Sequence, residues 1–392
     1  MPSYHFPVEL DLRGVPPGEA LVSFEADLAQ LAAHAGNVLP LAWSGLTAEL
    51  PDGRILPVQN RAGAGAPGLT VLLPADVAAA AGIQLTLSLA VGAAAAPRTP
   101  RVLFSQGAHD VAIQVDGAPF ATYRYDTRDP ELPRPYFHPL IGPSGVPITQ
   151  DGEFPGTTKG HIWHTGLVLA HQNFTDGNNW QTGSPKFSRM RHVAYEVMES
   201  GPLFGRFVQR LEWLNVAGDR AMFRETRTVT VPARPAKRRC LDVDTTITCG
   251  ELPALWNATP YHLLAIRVPD AMLVGKGGVI TNSEGQSNPP DGTPARWLDY
   301  SGPLGSGTAG VALFDHPQNP RHPTRWLNFQ AQTLGPAPAH REPLAWKPGE
   351  SLRFRYRVLL HEGDVTQAAI AQEYLAFITE PQARFGAPRR VA

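Results

Sequence analysis

The sequence predicts an all-β protein with one helix near its C-terminus. Its 37 glycines and 39 prolines make up about a fifth of the 392 residues and separate short apolar segments. Many of these segments alternate apolar and polar residues or are rich in β-branched side chains, which is typical of strands. We therefore expect β-sandwiches rather than layers of helices.

Ten segments predict strands, and each is closed by turn residues. In chain order they read SYHFPVELDL, LTVLLP, IQLTLSLAV, HDVAIQVDG, RFVQRLEWL, FRETRTVTV, LDVDTTIT, HLLAIRV, AGVALFDH and LRFRYRVLL. A helix is predicted over Val365 to Thr379, where apolar residues recur at helical spacing after the turn HEGD. We expect this helix to cap a sheet.

A domain boundary is predicted at residues 93–100, where AAAAPRTP ends an alanine-rich segment and two prolines stiffen the chain. Residues 1–97 predict an immunoglobulin-like sandwich, with an Asp-Gly hairpin signal in LPDGRILPVQ. Residues 101–392 predict a large β-sandwich that holds every polar cluster of interest. The length of 392 residues also predicts two domains, because a single hydrophobic core seldom extends through so long a chain.

The composition argues against several classes of partner. With 34 basic and 35 acidic residues, neither nucleic acid nor an anionic membrane is expected as the main partner. The start MPSYHFPVEL lacks the features of a secretory signal, so a cytoplasmic protein is expected. The apolar stretch from Val77 to Ala96 is broken by glycine and glutamine and is a poor membrane span. Cys240 and Cys249 end one strand-like run, too far apart to bridge, and predict free thiols.

The segment from His161 to Trp180, HIWHTGLVLAHQNFTDGNNW, is the strongest candidate for a site. With His138 and His192, it brings five of the 13 histidines into about one seventh of the chain. Imidazole is suited to binding a metal or to transferring protons near neutral pH. We therefore expect His161, His164 and at least one further histidine of this region to meet in one cavity.

Two glycines, Gly160 and Gly166, favour a loop that directs His161 and His164 into that cavity. The pair would bind a divalent metal or act as acid and base. The alternative is that both imidazoles hydrogen-bond loop carbonyls. A metal is thus one candidate cofactor, whereas a nucleotide cofactor is not expected, because the chain lacks the glycine-rich motifs that hold phosphates.

Two strand-like segments supply further candidates. RPYFHPL places Tyr136 and His138 on an extended path, which predicts that they point to opposite sides and that one lines the pocket. The alternative is a packed aromatic loop. FRETRTVTV places Glu225 on the face opposite Arg224 and Thr226. If that face is inward, the carboxylate needs a partner. Glu225 is our first choice for a general acid or base, with a structural ion pair to an arginine as the alternative.

The segment DHPQNPRHPTRW follows a predicted strand, so its polar residues emerge where sandwich loops place functional groups. We expect Arg321 and His322 to contact a ligand in the same cavity as His164, whereas Asp315 and Asn319 also suit a turn that caps backbone amides. The predicted catalytic residues are His161, His164 and Glu225. The predicted substrate-binding residues are Tyr136, His138, His171, Trp180, His192, His316, Arg321 and His322.

The segments RPYFHPL, GHIWHTGLVLAH, RETRTV, GGVITNSEG, WLDYSG and DHPQNPRHPTRW occur in an order and spacing that resemble a family commonly named "methane oxygenase PmoA". The resemblance covers residues 101–392. The family's central motif reads closer to DHPHHRGLWFAHGDVNGxDFW, so here Trp163 replaces one paired histidine and Thr165 replaces an arginine. A methane monooxygenase subunit is membrane-embedded, whereas this chain has no predicted span, so we set methane chemistry aside.

Members of that family are similar to large β-sandwich proteins of the galactose-mutarotase type and are commonly encoded beside sugar oxidoreductases. The resemblance therefore implies a small sugar or glycoside as ligand and a sugar oxidoreductase as functional partner. We expect acid/base chemistry on that sugar, by hydrolysis, elimination or epimerisation, including on an oxidised sugar. The first alternative is a non-catalytic carbohydrate-binding protein, which needs aromatic platforms such as Trp180 but not Glu225. The second is a structural role.

Overall fold

The computed structural model describes residues 3–15, 20–26, 46–61, 68–78, 82–90, 99–126, 133–151, 163–234, 238–328, 332–387 and 389–391. The chain divides into two compact units. The first comprises Met1–Val102, Ser200–Gly205 and Gln372–Ala392, and the second comprises Leu103–Glu199 and Arg206–Ala371. Within the described ranges, no helix is both long and apolar enough to cross a membrane.

The first unit is a sandwich of two antiparallel sheets. Its elements are β1 (Ser3–Asp11), β2 (Ala20–Glu25), β3 (Leu46–Glu49), β4 (Ile55–Leu56), β5 (Val58–Arg61), β6 (Gly68–Leu73), helix α1 (Ala75–Ala78), β7 (Gly82–Ala90), β26 (Gln382–Phe385) and β27 (Arg389–Val391). One sheet has the order β26-β1-β7-β3-β4 with β27 also on β1, and the other has the order β2-β6-β5. Alternate residues of both sheets, such as Phe6, Phe24 and Val71, form one buried core.

Strand β1 is completed by the C-terminal end of the chain. Val8 lies opposite Phe385 and Leu10 lies opposite Ala383, while β7 pairs with the other edge of β1. The C-terminal segment Gln372–Ala392 thus belongs to the first unit, whereas the sequence analysis assigned it to the large domain. β1 is therefore paired with β7 along one edge, and along the other edge with β27 at Ser3–His5 and with β26 at Val8–Asp11.

The second unit contains two eight-stranded sheets. Its strands are β8 (Val102–Gln106), β9 (Asp110–Val115), β10 (Ala118–Arg124), β11 (Tyr136–Leu140), β12 (Leu167–Leu169), β13 (Met190–Glu199), β14 (Phe204–Leu214), β15 (Ala221–Pro232), β16 (Arg238–Cys249), β17 (Ala254–Trp256), β18 (Leu264–Arg267), β19 (Val279–Asn282), β20 (Trp297–Leu304), β21 (Gly307–Asp315), β22 (Trp326–Leu327), β23 (Thr333–Pro336), β24 (Leu344–Trp346) and β25 (Ser351–Glu362). Two short 3-10 helices span Asp270–Met272 and Val274–Lys276.

One sheet, here called the site sheet, has the order β22-β23-β18-β12-β11-β10-β9-β8. The opposing sheet has the order β13-β14-β15-β16-β25-β21-β20-β19, and β17 pairs separately with β24. The ring of Tyr123 on β10 stacks on Phe207 of β14 with 4.9 Å between centroids, and Phe104 on β8 lies 6.1 Å from Phe207. The predicted large β-sandwich is therefore confirmed.

The register of the site sheet assigns its residues to two faces. Phe137 lies 4.4 Å from the ring of Tyr123 and thus faces the opposing sheet. Its neighbour Tyr136 lies opposite Val168, which lies opposite Ala265. Successive residues of a strand point to opposite faces. These three side chains therefore occupy the face directed away from the opposing sheet, here called the outer face.

All ten predicted strand segments contain strands, but the predicted start of the C-terminal helix is wrong. Helix α2 spans Ile370–Ile378 and not Val365 onwards. Ala369 has a φ of 53°, in the left-handed region, so a right-handed helix begins only after it. Cys240 and Cys249 are both free and buried, as predicted.

Candidate functional site

Aromatic rings gather on the outer face of the site sheet. Tyr136 and Trp180 are buried together with three small side chains, those of Val168, Ala170 and Ala265. Trp163 and Tyr261 pack against the same group. Small side chains on neighbouring strands leave room above the sheet for large rings. Here Tyr136, Trp163, Trp180 and Tyr261 are called the aromatic cluster.

The asparagines of TDGNNW hold Trp180 in place. The side-chain oxygen of Asn178 accepts the backbone N–H groups of Trp180 and Gln181, both at 3.0 Å. The side-chain oxygen of Asn179 accepts the backbone N–H of His171 at 2.7 Å. Asparagine side chains commonly replace backbone acceptors in this way in turns. The polar residues of this segment therefore position the indole.

Two buried histidines adjoin Trp180. The imidazole centroid of His164 lies 5.3 Å from Trp180 and 6.5 Å from His262, which itself lies 5.5 Å from Trp180. Burial lowers the pKa of His262 to about 3, so this ring is neutral at pH 7. Gly166 has a φ of 46°, and a Cβ there would overlap the Phe137 carbonyl. Glycine is thus needed to turn the chain from His164 into β12.

A carboxylate completes the outer face beside the aromatic cluster. The hydroxyl of Tyr136 donates to Oδ2 of Asp151 at 3.2 Å, and Nη1 of Arg124 donates to the Tyr136 hydroxyl at 3.2 Å. Nε2 of His138 lies 4.0 Å from the same Asp151 oxygen, and Nδ1 lies 3.1 Å from Oγ1 of Thr149. The other carboxylate oxygen, Oδ1, is buried and makes no hydrogen bond within the described part of the chain. These five residues are called the acid cluster.

Burial sets the protonation of the acid cluster. It raises the pKa of Tyr136 to about 12, an effect that the Asp151 carboxylate reinforces. Burial also lowers the pKa of His138, and Asp151 opposes this shift only in part. The expectation that Tyr136 and His138 point to opposite sides is wrong, because residues two apart on a strand share a face. Both side chains reach Asp151.

Arg267 is a buried arginine beside His164 that also interacts electrostatically with Asp151. Its Nη1 donates to the His164 carbonyl at 3.1 Å, and its Nη2 donates to the Gln332 side chain at 2.7 Å. Burial lowers the pKa of Arg267, while the carboxylates of Asp270 and Asp151 oppose the shift. The acid cluster, the aromatic cluster, His164, His262, Arg134 and Arg267 are together called the outer-face site.

Glu225 lies in the opposing sheet, with an exposed fraction of 1%. Its carboxylate accepts hydrogen bonds from Trp213 Nε1 and Thr245 Oγ1, both at 2.7 Å. It also accepts Nε and Nη2 of Arg227, at 2.7 and 3.0 Å. This is the geometry of a structural ion pair, the alternative that the sequence left open. A role for Glu225 as acid or base stays a prediction.

The same network leads to His192. Nη1 of Arg227 donates to the Tyr123 hydroxyl at 3.1 Å, which donates to Oε1 of Gln209 at 2.6 Å. Nε2 of Gln209 lies 2.8 Å from Nδ1 of His192, whose ring packs 4.7 Å from Tyr125. Burial raises the pKa of Tyr123 to about 12. His192 therefore ends a polar network that starts in the core, and sugar binding by His192 stays a prediction.

The remaining histidines of the central motif differ in their placement. His171 stacks on Trp256 with 4.6 Å between centroids, and burial lowers its pKa to about 3. His161 lies outside the described residues, so its predicted meeting with His164 and the predicted metal site stay predictions. Among the residues that the structure describes, no group of three or more His, Cys, Asp or Glu side chains could hold a metal ion.

The loop after β21 is organised by a buried carboxylate. Oδ2 of Asp315 lies 2.7 Å from Nδ1 of His322 and accepts the Thr324 backbone N–H at 3.2 Å. Oδ1 accepts the side-chain amide of Asn319 at 2.7 Å. Burial raises the pKa of Asp315, and the hydrogen bonds from His322 and Asn319 oppose that rise. Asp315 thus orients His322 and fixes the turn.

Arg321 fastens this loop to a neighbouring segment. Its guanidinium donates to the main-chain carbonyls of Pro338, Glu342 and Pro343, at 2.9, 2.6 and 2.8 Å. His316 is buried, and its Nδ1 accepts a backbone N–H at 3.2 Å. These contacts are structural. Ligand contact by His316, Arg321 and His322, and a cavity shared with His164, stay predictions.

Asp151, His262 and Arg267 were not among the predicted site residues. Asp151 precedes Gly152, so its dipeptide resembles an ordinary turn. Arg267 and His262 belong to the run HLLAIRV, which predicts only a strand. Arg267 could have been selected as a candidate site residue from the sequence, because an arginine inside an apolar strand needs a polar partner.

Comparison with known proteins gives one family. The model of a family described as "Family of unknown function (DUF6807)" matches residues 110–375. No curated protein matches the sequence.

Two solved structures are similar in backbone. A protein in the glycosyl hydrolase family 38 from Enterococcus faecalis has 12% identity and a TM-score of 0.46, over 98% of this chain and 47% of that chain. An alpha-mannosidase from Enterococcus faecalis V583 has 12% identity and a TM-score of 0.46, over 98% of this chain and 46% of that chain. The chain thus spans about half the length of these two proteins.

Proposed function

The chain belongs to the DUF6807 family of unknown function, and we propose that its outer-face site performs acid/base chemistry on a sugar or glycoside. The acid cluster carries this proposal. Asp151 has one oxygen held by Tyr136 and another, Oδ1, without a hydrogen bond among the described residues. Buried polar groups normally have partners, so an exception of this kind is a candidate for contact with a ligand.

The acid cluster contains the groups that proton transfer requires. Asp151 would remove a proton through Oδ1. His138 would accept or donate a second proton at Nε2, since Thr149 holds its Nδ1 and its lowered pKa keeps the ring neutral near pH 7. The Tyr136 hydroxyl would remain protonated, because its pKa lies at about 12. A base beside a neutral imidazole suits reactions that take a proton from carbon and return one elsewhere.

The aromatic cluster supports a sugar as the substrate. The C–H faces of a pyranose pack on aromatic rings, and Trp180, Trp163 and Tyr261 lie together beside the acid cluster. Binding pockets commonly combine such apolar walls with a few placed polar groups. Here the polar groups are the acid cluster, His164 and the arginines.

Among hydrolysis, elimination and epimerisation, the site favours the last two. Both begin when a base removes a C–H proton that a neighbouring carbonyl or carboxylate has made acidic. An oxidised sugar has such a proton, and a sugar oxidoreductase is the class of enzyme that would supply it. The predicted roles of Glu225 and of a metal at His161 and His164 are not needed for this step.

Exchange of hydrogen with solvent tests the proposal without a known product. The full chain would be incubated in D2O with keto sugars, uronic acids and aldonic acids, and deuterium at carbon followed by NMR. We expect exchange with one of them, and a loss of about 10² to 10⁴ in rate in Asp151→Asn. The matched control is Asp244→Asn, which loses a partly exposed pair with Arg353.

Two results would count against the proposal. Exchange at the wild-type rate in Asp151→Asn would remove Asp151 from the mechanism. Sugar binding without exchange in the wild type would favour the non-catalytic carbohydrate-binding protein instead.

A further inference from the structure

Arg134 is a buried cation whose hydrogen bonds are incomplete. Its exposed fraction is 2%, and its central carbon lies 5.9 Å from the centre of the Trp180 ring. Nη2 donates to the Trp163 carbonyl. Nε and Nη1 are buried and have no hydrogen-bond partner in the described part of the protein. Arg134 therefore adjoins the aromatic cluster, and its Nε and Nη1 donors are unused by the described residues.

Among the described residues, no carboxylate balances the charge of Arg134. None of the described carboxylates lies within 4.0 Å of its guanidinium, in contrast to the buried Arg227, which pairs with Glu225 at 2.7 Å. Burial lowers the pKa of Arg134 to about 10, which still leaves it protonated at pH 7. A buried charge without a counter-charge is costly, so such a charge indicates that an anion binds beside it.

Neighbouring groups add donors rather than acceptors. Nε1 of Trp180 is buried and makes no hydrogen bond to a described residue. Among the described residues, Arg134 and Trp180 thus present unused donors beside one another. Unused donors on and beside a cation suit a ligand that supplies only acceptors and a negative charge.

We propose that Arg134 and Trp180 bind the carboxylate of a sugar acid, so that the substrates of this protein are uronic or aldonic acids or their glycosides. This inference rests on the proposed function and narrows its substrate class. The carboxylate would lie beside Arg134 while the ring packs on the aromatic cluster, next to Asp151. A carboxylate also makes the C–H on the adjacent carbon more acidic, and that is the proton a base must remove.

The acid cluster favours a carboxylate over a phosphate. Arg124 and Arg267 adjoin the acid cluster and offset the charge of Asp151, so Arg134 supplies the one positive charge left for a ligand. A monoanion is balanced by Arg134 alone. A phosphate dianion would leave one negative charge uncompensated near Asp151, and like charges at short range repel strongly in a buried site.

The test is calorimetric binding to the full chain. The probes are D-glucuronate, D-galacturonate and D-gluconate, with D-glucose, D-galactose and inorganic phosphate for comparison. We expect the best sugar acid to bind roughly 10- to 100-fold more tightly than its neutral counterpart, the range for hydrogen bonds to a charged group. Arg134→Met should abolish this preference, so that each sugar acid and its neutral counterpart bind with similar affinity. Arg134→Lys should retain part of it.

A second measurement does not depend on a ligand. In the free protein, Arg134→Met replaces a buried charge that has no ion pair among the described residues by an apolar side chain of similar length, so the thermal midpoint should rise or stay equal. The matched control is Arg206→Met, in which a buried arginine loses its pair with Glu199 at 2.9 Å and the midpoint should fall. A fall in Arg134→Met as large as in the control would overturn the inference.

Further outcomes separate this inference from the proposed function. Equal binding of neutral and acidic sugars, or an unchanged preference in Arg134→Met, overturns the carboxylate site and leaves the sugar chemistry standing. Phosphate that binds more tightly than every sugar acid also overturns it. No binding of any sugar counts against both proposals. Carboxylate preference with no deuterium exchange supports the site while it refutes the proposed function.

Discussion

The ion pair of Glu225 and Arg227 leads to a prediction about stability that needs no substrate. In Glu225→Gln the side chain keeps its shape but loses its charge. An amide oxygen can still accept two of the four donors that now surround the carboxylate, which come from Trp213, Thr245 and twice from Arg227. The amide NH2 group then faces the other two donors. Arg227 also remains buried without a counter-charge.

The expected cost follows from these contacts. Removal of one partner of a buried ion pair typically costs about 3 to 5 kcal/mol, because the other charge is left unpaired. The measurement is urea unfolding of the full chain, followed by tryptophan fluorescence. The control is Glu196→Gln, which breaks a surface pair with Arg210 at 3.1 Å and should cost less than about 1 kcal/mol.

A double variant separates charge from packing in this prediction. Glu225→Leu combined with Arg227→Met removes both charges and should recover most of the stability lost in Glu225→Gln. If Glu225→Gln unfolds within about 1 kcal/mol of the wild type, the charge reasoning fails. The acid or base role predicted from the sequence would then regain support.

Two more predictions concern pH and packing. The pKa values of His171 and His262 are about 3 in the folded chain, below the unfolded value, so the unfolded chain binds more protons as pH falls below about 6.5. The free energy of unfolding should therefore fall by roughly 1.4 kcal/mol per pH unit for each histidine between about pH 6 and 3. Urea unfolding at several pH values measures this dependence. If the free energy of unfolding of His262→Gln changes with pH as steeply as that of the wild type, the prediction is contradicted. In Gly310→Ala, the new methyl would overlap the imidazole of His361, which Asp299 holds at 2.7 Å. We expect a loss of about 1 to 3 kcal/mol in urea unfolding, against little change in Gly307→Ala, and equal stability of the two variants would refute the packing argument.

The strands were predictable from sequence because period-two alternation follows directly from burial of one face. FRETRTVTV, for example, places the buried Glu225 and Arg227 on one face of β15 and the more exposed Arg224 on the other. The helix start at Ile370 was not predictable, since the left-handed conformation of Ala369 has no residue signature. Glycine or asparagine would have signalled it.

The candidate site was predicted only in part. Tyr136, His138, His164 and Trp180 were selected from local motifs, and all four lie in the outer-face site. Asp151 joins them through a hydrogen bond from Tyr136, a residue on another segment. Such a contact depends on strand register, and composition or spacing within one motif carries no information about it.

The pairing of β1 with β26 and β27 sets an order of events during synthesis. A ribosome releases β1 first, but two of its partner strands, at Gln382–Phe385 and Arg389–Val391, emerge only after the whole second unit. The edge of β1 that pairs with β26 and β27 is therefore unpaired while the second unit is translated and begins to fold. An unpaired edge is where a nascent chain is most prone to join another chain. A truncation that removes β26 and β27 would make that transient exposure permanent.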